Sequence, residues 1–138
     1  MSAETLLRRL APLLVMALIH YFSSLPGTPG GGGPTAWIPG WLHNLAHIPA
    51  YALLAAGWFV ALPAPRSRRT TLLIGLLTIG YGVFDEWYQS FVPGRQPSVA
   101  DLLRDALGAV IGVAVMRRVA PLGEAARHAR AVPAARDR

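Results

Sequence analysis

A chain of 138 residues that is 53% apolar and only 14% charged is too apolar for an ordinary soluble domain, and its length accommodates one domain. Its formal net charge of +6 comes from arginines near the ends of the apolar stretches and in the C-terminal tail, a placement that fits membrane topology and argues against nucleic acid as a partner. The chain contains no cysteine, which excludes disulfides, thiolate zinc sites and cysteine nucleophiles.

Four apolar stretches, 6–22, 41–62, 70–91 and 99–119, approach the roughly 20 residues that cross about 30 Å of hydrocarbon. The expected fold class is all-α: a polytopic membrane protein built as a four-transmembrane-helix bundle over 1–120, with a basic cytoplasmic tail over 121–138 that is disordered or weakly helical. Arg8 and Arg9 precede the first stretch, as they would in a cleaved signal peptide. Ser23-Ser24-Leu25-Pro26 lacks a small-x-small cleavage pattern, which favours a retained span with the arginines as an inside anchor. The glycine- and proline-rich run 26–40 reads as a loop, with Trp37 and Trp41 placed as indoles are at a headgroup interface.

In the second stretch His43, His47 and Tyr51 recur every four residues and share one stripe if the helix is continuous. Pro49 cannot donate to residue 45, so the helix either begins near His47 or is kinked there. Each of these polar residues is compatible with an interfacial side chain or with a buried group that requires partners. The run 63–69 is a rigid, basic end to the helix.

Arginines mark the N-terminal segment, the 63–69 connection and residues 117–118, whereas the first loop has none and the third connection has only Arg95. The positive-inside bias then predicts four crossings of a cytoplasmic membrane with both termini cytoplasmic. His43, His47, Tyr51, Asp85, Glu86, Gln89, Arg95, Asp101 and Asp105 fall toward the outer face in that topology.

The third stretch carries Gly75, Gly80 and Gly82, small residues that permit close helix approach. Asp85 and Gln89 lie about 40° apart around its axis and Glu86 about 100° from Asp85, so all three can face a bundle interior. Pro93-Gly94 suits the centre of a type II turn and fixes Arg95 beside the acids. Ser98 reads as the N-cap of the fourth helix, with Asp101 in a capping-box-like position. Asp101, Asp105, Gly108 and Gly112 share a face within about 60°, and Arg104 is placed to pair with Asp101 or to reach headgroups. Pro121 is the expected end of this span. Two readings of the polar set remain: a site, or an ionic staple that joins the helices.

Asp85-Glu86-x-x-Gln89, Pro93-Gly94-Arg95, Asp101 and Gly108, with His47-x-x-x-Tyr51 upstream, resemble in order the VanZ-like family of small bacterial membrane proteins. The resemblance covers roughly residues 42–112 and implies a multi-span helical protein whose founding relative is linked to resistance to the glycopeptide teicoplanin. Two positions depart from the pattern: His43-Asn44 stands where the family usually has Asp-Lys, and Asp105 where it has Asn.

The leading expectation is a binding module of the cell envelope. Its outward pocket, formed by His47, Tyr51, Asp85, Glu86, Gln89, Arg95, Asp101 and Asp105, takes the polar head of a membrane lipid or lipid-linked cell-wall precursor, with Arg95 and Arg104 toward phosphate. An intramembrane enzyme is the second expectation, in which Asp85 or Glu86 is a general base and His47 an acid or metal ligand. A metal would require His47, Asp85 or Glu86, and Asp101 to converge, which sequence spacing does not establish, so no metal or cofactor is assigned. A structural or assembly role is the third expectation. Oligomeric state is not readable from the sequence.

Overall fold

The computed structural model describes residues 2–27, 40–62 and 67–131, with the side chains of residues 40, 41, 43 and 122–131 outside the description. Five helices follow one another: α1 (Ala3–Ser24), α2 (Gly40–Leu45), α3 (His47–Ala61), α4 (Arg68–Gln89) and α5 (Val99–Ala131). No strand occurs among the described residues, so the chain is all-α. Most of the 26–40 loop with Trp37, the turn at 63–66, and the side chains of Trp41 and His43 lie outside the described residues.

Local chemistry explains the helix ends. Ser2 and Ser67 are N-caps whose hydroxyls accept from the Thr5 and Thr70 backbone N–H groups, each at 3.2 Å. The predicted second span is interrupted only at Ala46: α2 ends at Leu45 and α3 begins at His47, while Ala46 keeps helical φ and ψ and its N–H donates to the Leu42 carbonyl at 3.1 Å, and Pro49 falls in the first turn of α3, where its missing N–H is tolerated. Pro121 does not end α5, contrary to expectation, and the backbone remains helical to Ala131. A proline removes one helical hydrogen bond and crowds the preceding turn, and the residues after Pro121 are largely good helix formers.

The four long helices run alternately up and down. Ser23 at the end of α1 meets Asp85 near the end of α4, and His47 at the start of α3 meets Asp105 in the second turn of α5. The polar residues of all four are thereby collected at one end, opposite Ala3 and the Arg117–Arg118 turn. α3 is central and packs on α5 and α1, while α4 packs on α5.

The α3–α5 approach is set by glycine. A Cβ on Gly108 would stand 2.4 Å from the Ile48 carbonyl oxygen, and one on Gly112 2.3 Å from that of Ala52. The expected glycine seam of α5 is therefore real and rests on backbone. Gly75 and Gly80 do not serve the same purpose on α4, since a Cβ at either would meet nothing within 4 Å. Of the three glycines of α4 only Gly82 makes room, for Asp105 and Tyr51.

Apolar side chains are distributed on both sides of this wall. Tyr51 and Leu54 pack with Ile19 of α1, and Ala55 and Phe59 with Ile74 of α4. Leu7, Leu14, Leu76, Leu103 and Val110 are exposed, while Ser23, Thr78, Asp85, Glu86, Gln89 and Asp105 are buried. A water-soluble bundle would reverse that distribution. By length and apolarity α1 suffices to cross a membrane, and it is the one described helix that does so on those two criteria. α3, with 15 residues, is about 23 Å long, short of a full span.

A candidate site where three helices meet

Adjacent residues of α4 face different neighbours, because successive helical positions diverge by about 100°. Asp85 is directed at α1: its Oδ2 accepts from Ser23 Oγ at 2.7 Å and from Gln89 Nε2 at 2.9 Å. The Gln89 amide also reaches Ser23 Oγ at 3.3 Å. Glu86 is directed at α5, where its Oε2 accepts from the Ser98 backbone N–H at 2.6 Å.

The turn between α4 and α5 has the expected form. Gly94 has φ 75° and the Arg95 N–H donates to the Val92 carbonyl at 3.1 Å, as in a type II turn with Pro93 and Gly94 at its centre. Arg95 is carried toward α1, where its Nε donates to the Leu25 carbonyl at 3.2 Å and its Nη2 to that of Phe22 at 2.9 Å. These carbonyls close the end of α1, so the guanidinium caps that helix and complements its dipole. Burial pulls the Arg95 guanidinium below its ordinary pKa, while Asp85, Glu86 and Asp101 act in the opposite direction. Gly27 completes the junction by donating to the Pro93 carbonyl at 3.0 Å.

Ser98 is the N-cap expected from the sequence, its Oγ accepting from the Asp101 N–H at 3.3 Å. Reciprocation comes from elsewhere in the chain: Glu86 of α4 takes the Ser98 N–H, and the Asp101 carboxylate pairs with Arg104. Asp101 thus serves the start of α5 and its own ion pair.

Below Ser98 lies the second polar group. His47 Nδ1 and Asp105 Oδ1 are 2.8 Å apart, and Asp105 is wholly buried. Tyr51 stacks one turn below His47, with ring planes 2° apart and centroids 6.2 Å apart. A Cβ on Gly82 would stand 2.8 Å from Asp105 Oδ2 and 3.3 Å from Tyr51 Cε1, so the bare glycine holds that carboxylate and ring edge together. One ligand atom each from His47, Glu86 and Asp105 lies within 4.8 Å of the other two. Glu86 Oε1, Asp105 Oδ2, Asp85 Oδ1 and the Tyr51 hydroxyl are buried with no hydrogen-bond partner among the described residues. Buried polar atoms are rarely left in this state, and each such atom is a demand for a donor, a proton or a cation.

The eight residues expected to line one pocket therefore divide. His47, Tyr51, Glu86 and Asp105 converge between α3, α4 and α5. Asp85, Gln89 and Arg95 bind α1 to the end of α4 and the turn beyond it, and Asp101 pairs with Arg104. Ser23 was visible in the sequence only as a hydroxyl at the end of an apolar span, yet it belongs to the Asp85 network. Gly82 was legible as a small residue, but not as the gap that admits Asp105.

The family whose sequence model matches the chain is described as VanZ/LLP1, and the match covers residues 6–120. It takes in the polar cluster and the bundle from Leu6 to Ala120. Comparison with curated proteins and with solved structures gives no match.

Proposed function

We propose, from the premise that the chain belongs to the VanZ/LLP1 family, that it is a multi-pass protein of the bacterial cytoplasmic membrane whose outer end binds the polar head of a cell-envelope lipid or lipid-linked cell-wall precursor. Four crossings with both termini cytoplasmic account for the arginines at one end and the polar cluster at the other. Exposed leucines and valines around a polar interior support this arrangement.

The observation that carries the reading is the convergence of His47, Glu86 and Asp105 from three helices within 4.8 Å, with buried carboxylate oxygens that have no hydrogen-bond partner among the described residues. The His47–Asp105 pair alone would suit an ionic staple, but Glu86 Oε1 and Asp105 Oδ2 stay buried without a partner among the described residues. The staple reading suits the other half of the polar set, because Asp85 Oδ2 accepts from Ser23 and Gln89, and Arg95 donates to the Phe22 and Leu25 carbonyls, which ties α4 and the turn beyond it to the end of α1. Glycopeptide susceptibility of the envelope is the phenotype that such a headgroup site would alter.

Native mass spectrometry of the full chain in mild detergent tests the reading. A phospholipid or polyprenyl-linked species should accompany the wild type and be lost in both Glu86→Gln and Asp105→Asn at unchanged protein yield. Lipid-free wild-type protein, or a lipid retained by both variants, refutes it.

A further inference from the structure

We infer that His47, Glu86 and Asp105 form a binding site for one divalent first-row transition-metal ion of the Zn2+ or Mn2+ class. The inference is separate from headgroup binding, since the ligands all belong to this chain.

The donor set has the required composition. One imidazole nitrogen and two carboxylate oxygens, all within 4.8 Å, come from the start of α3, the last turns of α4 and the second turn of α5. A tetrahedral ion with bonds near 2.1 Å separates its ligands by about 3.4 Å, so closure needs side-chain adjustment without movement of helices. An imidazole beside two carboxylates favours borderline ions over Ca2+ and Mg2+, which take oxygen ligands.

Acid clusters are common without metals, and independent evidence comes from the atoms left over. Asp105 is 0% exposed and Glu86 7%, and each retains a buried oxygen, Oδ2 and Oε1, without a partner among the described residues. The Tyr51 hydroxyl, on a residue 1% exposed, is likewise unpartnered, and its ring edge adjoins Asp105 at the Gly82 gap. Two carboxylates brought this deep with Glu86 Oε1 and Asp105 Oδ2 left without a donor among the described residues are costly, and a divalent cation satisfies both oxygens at once. Glu86 is already fixed in the manner of outer-shell support, since the Ser98 N–H holds its Oε2, and His47 Nδ1 already lies 2.8 Å from Asp105 Oδ1, so imidazole and carboxylate meet at one place. The His47 side chain is 11% exposed, which gives the site its access to the surface.

The test uses the full-length chain in detergent without a polyhistidine tag. The protein is stripped with chelator and titrated with Zn2+ and then Mn2+ against a competing indicator, in lipid-free micelles. About one equivalent of Zn2+ should bind, more tightly than Mn2+. Outer-shell changes alone typically cost about 10- to 100-fold in affinity, so Glu86→Gln and Asp105→Asn should each weaken binding by about 100-fold, while His128→Ala leaves it unchanged. Should Asp105→Asn fail to fold, Co2+ on the wild type provides the second measurement: stoichiometric visible bands, abolished by Zn2+ and absent in Glu86→Gln. Absence of stoichiometric Zn2+ binding, retention of it in both carboxylate variants, loss of it in His128→Ala, or displacement by equimolar Ca2+ overturns the assignment. Metal binding with no co-purifying lipid would refute the headgroup reading alone.

Discussion

Gly108→Ala tests the physical basis of the cluster, because one methyl group should separate the helices that bring His47 to Asp105. The added Cβ would stand 2.4 Å from the Ile48 carbonyl oxygen, 3.1 Å from the Ala52 nitrogen and 3.1 Å from Tyr51 Cβ. The nearest two atoms are backbone, so no rotamer change can relieve them. Opening the closest contact even to 3.0 Å moves α3 and α5 about 0.6 Å apart, an overpacking strain worth about 1–3 kcal/mol. The same displacement carries the 2.8 Å His47–Asp105 contact to about 3.4 Å, beyond the usual limit of about 3.2 Å. Gly80→Ala is the matched control: a Cβ there meets nothing within 4 Å, and removing glycine from a helix interior gains about 0.5–1 kcal/mol. Thermal unfolding in detergent should therefore show a lower midpoint for Gly108→Ala and an equal or higher one for Gly80→Ala. A Gly108→Ala midpoint at or above wild type would refute a backbone-to-backbone seam.

Ser23→Ala should destabilise the protein by about 1–3 kcal/mol in the same assay, because Asp85 loses the nearer of its two donors while remaining buried. In a double-mutant cycle Ser23→Ala should couple to Asp85→Asn and add independently to Glu86→Gln, since the two acids face different helices. Arg95→Lys replaces a planar fork on two carbonyls by a point charge, at a cost of about 1–2 kcal/mol, and should raise hydrogen exchange over residues 22–27 before the rest of α1. Glu86→Ala should open the first turn of α5 to exchange, whereas Glu86→Gln, whose amide oxygen still accepts from Ser98, should preserve it. Equal exchange in the two Glu86 variants would remove Glu86 from the cap.

The sequence revealed most where a residue's role is decided within one turn of chain. The Pro93-Gly94 turn, the Ser98 cap, the Asp101–Arg104 pair and the Gly108–Gly112 face all depend on spacing. It revealed least where the partner is remote in sequence. Arg95 stands beside the acids in the chain, so its placement on the Phe22 and Leu25 carbonyls was not legible, nor was that of Ser23 on Asp85. A start of α3 at His47 was one of two outcomes left open by Pro49, and the chain takes it through an Ala46 that stays helical. Pro121 shows the limit of a local rule, since one lost hydrogen bond does not stop a helix whose neighbouring residues favour it.

The departure at Asp105 acquires a meaning that the sequence pattern could not supply. An asparagine there could still meet His47 through its amide oxygen, and its nitrogen would be a donor in the space that Asp105 Oδ2 occupies beside Gly82. Aspartate presents only acceptors there when ionised, and Glu86 presents another at Oε1, so the cluster has two carboxylates where an amide would have supplied its own donor. Asp85 faces α1, where its Oδ2 accepts from Ser23 and Gln89. The buried carboxylates at this end of the bundle are thus divided between a group that ties α4 to α1 and a group around His47 between α3, α4 and α5.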